Sequence, residues 1–367
     1  MKMIRTILIG FILICGEFSF AQRYDCLKNF QFVKQHIETN YPGFKDKVNS
    51  ENLSSYLQFK EEIETRVQDL KTQEDCINVI NQFIAFFRDG HIQIFRKNSP
   101  IENYYLYPKK GSFNTLQGVK HIDYRQLTSR TVYLRIGSFN EREFNSIDSI
   151  AQKNYKSLKN SDNIILDLRG NEGGATFTYQ PILPFLGLDS IQHIGFDVLA
   201  TEDNIAAYQR LLESPYMPEN QKPYINRNIQ LMKQNIGKLT SLSDDYIESI
   251  TKNEKPQSII VLIDNNCGST TEHFLFIAKQ SKKVTIMGEP TIGMYDYGDM
   301  RSFLFPDPEL QLWCATNRSR RLNTGGGIDN IGIQPDIPLN KNKDWIDEAI
   351  LFLEQKNNHL QQWLKRQ

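Results

Sequence analysis

Two side chains in this sequence have the types and settings needed for nucleophilic catalysis. Ser269 follows the apolar run SIIVLI and the turn DNNCG, and it precedes a helix-like segment, TTEHFLFIAKQ. A strand–turn–serine–helix arrangement exposes a hydroxyl and places the next backbone N–H, here that of Thr270, beside it. His91 follows the turn Asp89-Gly90 and opens the strand-like run HIQIF. A histidine at such a junction suits general-base work, because its ordinary pKa is near neutral.

Both residues also have ordinary structural interpretations. Ser269 and Glu272 match the S-x-x-E capping box, which by itself explains a serine at the start of a helix. A lone histidine in a turn is more often satisfied by a loop carbonyl than used as a base. His273, four residues after Ser269, is predicted to pack along the helix or lie on its surface. The local patterns leave both interpretations open.

Two further segments carry candidate site residues. In NIILDLRGNEGGAT, residues 163–176, glycines after a buried strand let backbone N–H groups approach a ligand, as an oxyanion hole or a phosphate cradle requires. Neither a Gly-Lys-Ser/Thr sequence nor GxGxxG is present there, so the segment alone indicates only a tight strand–helix turn. In GGGIDNIGIQPDIPL, residues 325–339, Asp329 either orients a histidine or caps a turn.

The elements that must position these residues predict an α/β fold. Short apolar, β-branched runs alternate with helical segments, which is typical of a largely parallel, buried sheet. The runs are HIQIF, TVYLRIGSF, NIILDLRG, SIIVLID, VTIMGE and LQLWCA. We predict an N-terminal helical region over 22–90, a core over 91–340 with a helical insertion at 202–256, and a closing helix over 341–367.

The composition excludes some classes of function. The 367 residues contain 43 basic and 43 acidic side chains, so there is no electrostatic footprint for nucleic acid or an anionic membrane. No Cys-x-x-Cys pair or His/Cys cluster has the spacing of a structural zinc site.

Residues 1–21 are predicted to be a signal peptide that is cleaved after Ala21. Lys2 and Arg5 precede the apolar run ILIGFILI, which is too short for a permanent membrane anchor. Cys15 follows the bulky Ile14, which fits a lipoprotein signal poorly. We therefore predict an exported protein, periplasmic or secreted, with no stable membrane span after processing.

The four cysteines of the predicted mature chain allow three fully paired connectivities. Cys26 and Cys76 lie in predicted N-terminal helices, and we predict that a disulfide ties these helices together, which export would permit. Cys267 and Cys314 are equally well explained as small buried apolar residues.

The order of five motifs resembles the C-terminal-processing and tricorn-core serine peptidases. They are a DGH turn, a strand ending in DLRGNxGG, a strand leading to Ser-x-x-Glu, then GEPTxG and GIxPDI, between about residues 84 and 338. The resemblance implies a crotonase-like (ClpP/crotonase) α/β core and peptide-bond hydrolysis without a metal or organic cofactor. Under it, Ser269 matches the nucleophile, and Thr270 with Gly173 or Gly174 matches the oxyanion hole.

The resemblance also implies which residue acts as the general base. In the processing branch a lysine follows GEPTxG, but here Met294 stands there and cannot accept a proton. In the tricorn-like branch a histidine of the DGH-type turn is the base, which matches His91, and an acidic residue before GIxPDI supports it, which matches Asp329. The family often has serine where this chain has Gly90, and usually glutamate where it has Asp329.

The expected partner is a peptide or an unfolded protein chain. Only about forty residues separate HIQIF from TVYLRI, too few for the PDZ domain common in the processing branch. Two alternatives remain: a non-catalytic protein that binds a peptide or another ligand in the same cleft, and a hydrolase of esters or amides.

Overall fold

The computed structural model describes residues 24–97, 121–213, 217, 219–242, 244–251 and 253–364. The predicted signal peptide therefore lies outside the described residues. The fold is mixed α/β, as predicted. The helices are α1 Cys26–Asn40, α2 Phe44–Lys47, α3 Leu53–Val67, α4 Gln73–Ala85, α5 Phe144–Lys153, α6 Tyr155–Asn160, α7 Glu202–Glu213, α8 Lys222–Gln234, α9 Thr270–Ala278 and α10 Trp345–Leu364.

The strands are short and fall into several sheets. They are β1 Ile92–Arg96, β2 Ile122–Gln126, β3 Thr131–Ile136, β4 Asn163–Asp167, β5 Ser190–His193, β6 Phe196–Leu199, β7 Leu239–Ser241, β8 Tyr246–Ser249, β9 Ser258–Ile263, β10 Val284–Gly288, β11 Tyr297–Gly298, β12 Arg301–Leu304, β13 Leu310–Cys314, β14 Asn317–Ser319 and β15 Ile337–Pro338.

A six-stranded sheet in the order β15-β10-β9-β4-β3-β2 forms the centre of the molecule. All its pairings are parallel except the antiparallel pairing of edge strand β2 with β3. Strands β3, β4 and β9 are buried at every position, because helices and loops cover both faces. Continuous apolar runs are typical of such strands. The glycine loop follows β4 and Ser269 follows β9. Because these neighbouring strands are parallel, the loop and the serine lie at the same end of the sheet, where the strands reach their carboxyl ends.

Two of the runs assigned to the parallel sheet lie elsewhere. HIQIF contributes β1 and LQLWCA contributes β13, and these strands pair with each other in an antiparallel sheet of order β1-β13-β12. In β13 buried and partly exposed residues alternate, as expected of a strand with one covered face. The assignment to the central sheet was wrong because apolar content alone does not reveal the pairing partner.

The predicted insertion contains strands as well as helices. Helices α7 and α8 pack on each other, but β7 pairs with β6 and β8 pairs with β5. The 202–256 segment is thus joined to the rest of the protein through two small sheets. In the described part of the chain, no helix is long and apolar enough to cross a membrane.

The protein has two large hydrophobic cores. One, the sheet core, lies on the central sheet and contains Cys267 and Phe274, on either side of Ser269. The other, the N-terminal core, joins helices α1, α3 and α4 to β1, β12 and β13, and contains Phe87 and Ile92, on either side of His91. The two candidate reacting residues therefore lie next to different cores in sequence.

A disulfide bond joins Cys26 at the start of α1 to Cys76 in α4, as predicted. The bond spans 50 residues and lies within the N-terminal core. Cys267 and Cys314 are free and buried.

We expect the double variant Cys26→Ser/Cys76→Ser to lose about 2–5 kcal/mol of unfolding free energy, since the cross-link restricts the unfolded chain. Urea unfolding of the variant and of the oxidised wild type measures the difference. Cys267→Ser is the matched control for loss of a buried sulfur outside the cross-link. Free thiols at both Cys26 and Cys76 in peptide maps of the non-reduced protein would contradict the pairing.

Candidate active site

Ser269 lies in a strained turn between β9 and α9. Its backbone has φ 53° and ψ −118°, which a residue with a side chain rarely adopts. The conformation puts the hydroxyl at the N-terminus of α9, where the helix dipole favours developing negative charge. Strain of this kind persists only where surrounding contacts enforce it, and it is concentrated at functional sites.

Glu272 supplies the contacts that enforce this turn. Its buried carboxylate accepts the backbone N–H of Ser269 at 3.0 Å, so the glutamate half of the predicted capping box is formed. It also accepts the Thr291 hydroxyl at 2.5 Å and the N–H groups of Gly293 and Met294 at 2.8 and 2.9 Å. One carboxylate thus fixes the start of α9 to the loop after β10.

His91 lies within hydrogen-bonding distance of Ser269. The distance from His91 Nε2 to Ser269 Oγ is 3.1 Å, although 178 residues separate the two in sequence. The histidine is 5% exposed, and its carbonyl accepts the N–H of Ala315 at 3.0 Å, next to β13. The structure therefore brings the predicted nucleophile and the predicted base together.

Asp89 is a site residue that the sequence pattern indicates only as part of a turn. Its Oδ1 accepts the backbone N–H of His91 at 2.8 Å and lies 3.6 Å from His91 Nδ1. Its Oδ2 accepts the hydroxyl of Tyr41 at 2.6 Å. The carboxylate thus faces the ring nitrogen opposite the one that meets Ser269. An aspartate two residues before the histidine was the available signal, but its side chain direction depends on tertiary structure.

Asp329 is placed differently from the prediction. Its Oδ2 lies 3.1 Å from Lys47 Nζ, and its Oδ1 accepts the N–H groups of Tyr295 and Asp296 at 3.2 and 3.0 Å. The carboxylate that approaches His91 Nδ1 is that of Asp89. The negative charge of Asp329 still favours the protonated imidazole through space.

The three ionisable groups have opposing pKa shifts. Burial lowers the pKa of His91, but its attraction to Asp89, Asp329 and Glu272 outweighs burial and leaves that pKa raised. Burial raises the pKa of Asp89, but its interactions with His91 and Tyr41 outweigh burial and leave the pKa below its ordinary value. Burial, together with repulsion from Asp89, raises the pKa of Asp329 to about 7. At neutral pH the permanent anion beside His91 is therefore Asp89.

We expect peptide hydrolysis to fall on acidification, with an apparent pKa above the ordinary histidine value of 6.5. The reason is that only the neutral imidazole accepts the serine proton, and the raised pKa keeps the ring protonated to a higher pH. A profile of kcat/KM against pH measures this acid limb. Far-ultraviolet circular dichroism at each pH is the control for unfolding. An acid limb well below pH 6.5 would contradict the assigned environment of His91.

The glycine loop after β4 packs directly on the nucleophile. A β-carbon built on Gly173 would lie 2.8 Å from Thr270 N and 3.0 Å from Ser269 Cβ, so no side chain fits there. The N–H of Gly173 donates to Asn171 Oδ1 at 3.0 Å. For the N–H groups of Gly174 and Thr270 we find no acceptor among the described residues. These two N–H groups are the available donors for an oxyanion.

A buried ion cluster holds the strand end from which this loop begins. The carboxylate of Asp167 receives two hydrogen bonds from the guanidinium of Arg169, at 2.8 and 2.6 Å, and one from the hydroxyl of Tyr133 at 2.8 Å. Arg135 lies 3.1 Å from the same carboxylate and also donates to the carbonyl of Arg169. The cluster fixes the path of the chain into the glycine loop.

A second histidine, His273, packs beside an aromatic side chain. His273 meets the hydroxyl of Tyr179 at 3.2 Å, and burial lowers its pKa to about 4, so it packs as predicted. No group of three or more His, Cys, Asp or Glu side chains with metal-binding geometry occurs in the part of the chain that the structure describes.

A serine in a strained turn, a histidine at 3.1 Å and a nearby carboxylate are an arrangement typical of serine hydrolases, and here it lies on a mixed α/β fold. The model of peptidase family S41 matches residues 130–339, more than half of the chain, and the protein belongs to this family. The predicted relationship to C-terminal-processing and tricorn-core serine peptidases is thereby confirmed. His91 and Asp89 precede the matched residues.

Individual relatives match nearly the whole chain. The nisin-resistance protein of Lactococcus lactis subsp. lactis is 25% identical over 358 residues, which cover 95% of this chain and all of that protein. A lipoprotein from Streptococcus agalactiae has a similar structure, with a TM-score of 0.52, 17% identity and coverage of 90% of this chain and 97% of that one. Mature CPAF gives a TM-score of 0.58, 13% identity and coverage of 86% and 92%. At these identities, the two structures support the fold.

Proposed function

We propose that this protein is an exported serine peptidase that hydrolyses peptides or unfolded chains, with Ser269 as nucleophile and His91 as general base. The observation that carries the proposal is the 3.1 Å distance between His91 Nε2 and Ser269 Oγ. Family membership supports serine peptidase chemistry in general. Export rests on the sequence of residues 1–21, and the crotonase-like assignment of the core rests on the motif resemblance.

Asp89, rather than Asp329, orients the base in this proposal. Its carboxylate faces Nδ1, which favours the ring orientation that turns Nε2 toward the serine, and its charge stabilises the imidazolium that forms when the ring accepts a proton. The 3.6 Å separation exceeds a hydrogen bond, and such distances commonly shorten when substrate binds. Asp329 instead links the loop before β15 to Lys47 of α2.

The reaction proceeds by acyl transfer to the serine and then to water. His91 takes the Ser269 proton as Oγ attacks the scissile carbonyl, and the resulting oxyanion is met by the N–H groups of Thr270 and Gly174. The imidazolium then gives its proton to the leaving amine as the peptide bond breaks. In the second half His91 deprotonates a water molecule as the water oxygen attacks the acyl carbonyl. The imidazolium then returns this proton to Ser269 Oγ as the ester bond breaks and the carboxylic acid product leaves.

The test combines a chemical label with turnover. A fluorophosphonate probe should label the wild-type protein and fail to label Ser269→Ala, and purified wild type should hydrolyse an unstructured protein such as casein. If the probe labels the protein and the protein hydrolyses esters but not peptides, the protein is an esterase and the peptidase assignment is wrong. No labelling and no turnover, but saturable binding of a peptide, would show a binding protein.

A further inference from the structure

The side chain of Met294 lies between the two turns that carry His91 and Ser269. A β-carbon built on Gly90 would lie 2.1 Å from Met294 Sδ and 3.2 Å from its Cγ. A β-carbon built on Gly268 would lie 3.8 Å from Met294 Cε. Each glycine immediately precedes one of the reacting residues. The thioether therefore fills the space beside one turn and reaches the other.

The backbone of Met294 is fixed to the nucleophile's side of the site. Its N–H donates to Glu272 Oε2 at 2.9 Å, the oxygen that also accepts the N–H of Ser269 at 3.0 Å. Met294 is thus anchored to the start of α9, while its side chain packs against the turn before β1. Met294 thus connects the turn that carries the nucleophile to the turn that carries the base.

The same contact explains why residue 90 is a glycine. Gly90 is not among the glycines with a positive φ, so its backbone would accept other residues. What a side chain there would meet is the sulfur of Met294, so the Met294 side chain would have to move to accommodate it. Gly90 and Met294 are therefore two sides of one packing contact.

We propose that Met294 is a positioning residue that holds the imidazole of His91 in line with Ser269, and that Gly90 makes room for it. The inference rests on the proposed peptidase function. A flexible thioether suits an irregular gap of this kind. A displacement of about 1 Å between reacting groups costs on the order of 10²-fold in rate, so the filling of this gap bears directly on turnover.

Four variants of the full mature chain test the proposal by peptide hydrolysis. Met294→Ala should lower kcat about tenfold or more and change KM less than about twofold, because alignment rather than binding is lost. Met294→Leu, of similar volume, should stay within about threefold of wild type. Gly90→Ala should also lose activity, and the double variant Gly90→Ala/Met294→Ala should be more active than Gly90→Ala alone.

Unchanged kcat in Met294→Ala, or a double variant no better than Gly90→Ala, overturns the proposal. Thermal unfolding of each variant separates misfolding from misalignment. A second measurement does not need turnover: the Cε1–H signal of His91 in the NMR spectrum should shift in Met294→Ala and not in Met294→Leu. An unmoved His91 signal in Met294→Ala also overturns the positioning role.

The two measurements distinguish this inference from the proposed function. If the wild type hydrolyses no peptide but the His91 signal moves in Met294→Ala, the peptidase assignment fails and the positioning of His91 by Met294 stands. If the wild type hydrolyses peptides and Met294→Ala matches it in kcat, the peptidase assignment stands and the positioning role is overturned.

Discussion

Ser269→Ala and His91→Ala should each lower kcat for peptide hydrolysis by roughly 10³-fold or more, and the double variant should be scarcely worse than either. The two side chains act in one step, the transfer of the serine proton to Nε2 across 3.1 Å. Removing either partner therefore removes the whole step. Steady-state kinetics of the three variants at equal folded concentration measure the non-additivity.

His121→Ala is the matched control, because His121 is an exposed histidine at the start of β2 with no place in the site. It should keep the wild-type rate. If His91→Ala also keeps that rate while Ser269→Ala is inactive, the base has been misassigned. Additive losses in the double variant would show that the two residues do not act as a unit.

Asp89→Asn should lower kcat by about 10²–10⁴-fold, the range expected when the carboxylate that orients a catalytic histidine becomes an amide. The buried carboxylate accepts the backbone N–H of His91 and faces its Nδ1. An amide keeps the shape but removes the charge that raises the pKa of His91. The acid limb of the pH profile should therefore move to lower pH in this variant, which a purely structural role would not cause.

Asp329→Asn is the control variant, and we expect a loss of about tenfold or less. Asp329 pairs with Lys47, and its pKa of about 7 means that it carries only part of a negative charge at neutral pH. Tyr41→Phe should fall between the two, because it removes one hydrogen bond to Asp89 and leaves the carboxylate. A larger loss in Asp329→Asn than in Asp89→Asn would restore Asp329 as the orienting residue.

The sequence predicts the turns that carry the site residues better than it predicts the contacts that these residues make in the folded chain. The buried parallel strands are followed by Ser269, Thr270 and the glycine loop. The ends of such strands can be predicted from the local sequence, because the apolar pattern stops there and turn residues begin. His91 was predicted from its motif, and the structure places it beside the serine. These residues share a local signal, a turn of characteristic composition next to a strand.

Asp89 and the pairing of β1 with β13 could not be predicted in the same way. The direction of the Asp89 side chain depends on Tyr41, 48 residues earlier in the chain. Residue Ile92 pairs with Cys314, more than half the chain away. Turn composition and apolar periodicity describe neighbours in sequence, whereas these contacts exist only once the N-terminal helices have packed on β12 and β13.

The division of the molecule into a sheet core and an N-terminal core has a mechanical consequence. Residues on either side of Ser269 pack in the first and residues on either side of His91 pack in the second, so their hydrogen bond joins elements of the two cores. In the proposed peptidase, activity would therefore depend on how the two cores pack on each other as well as on the site residues themselves.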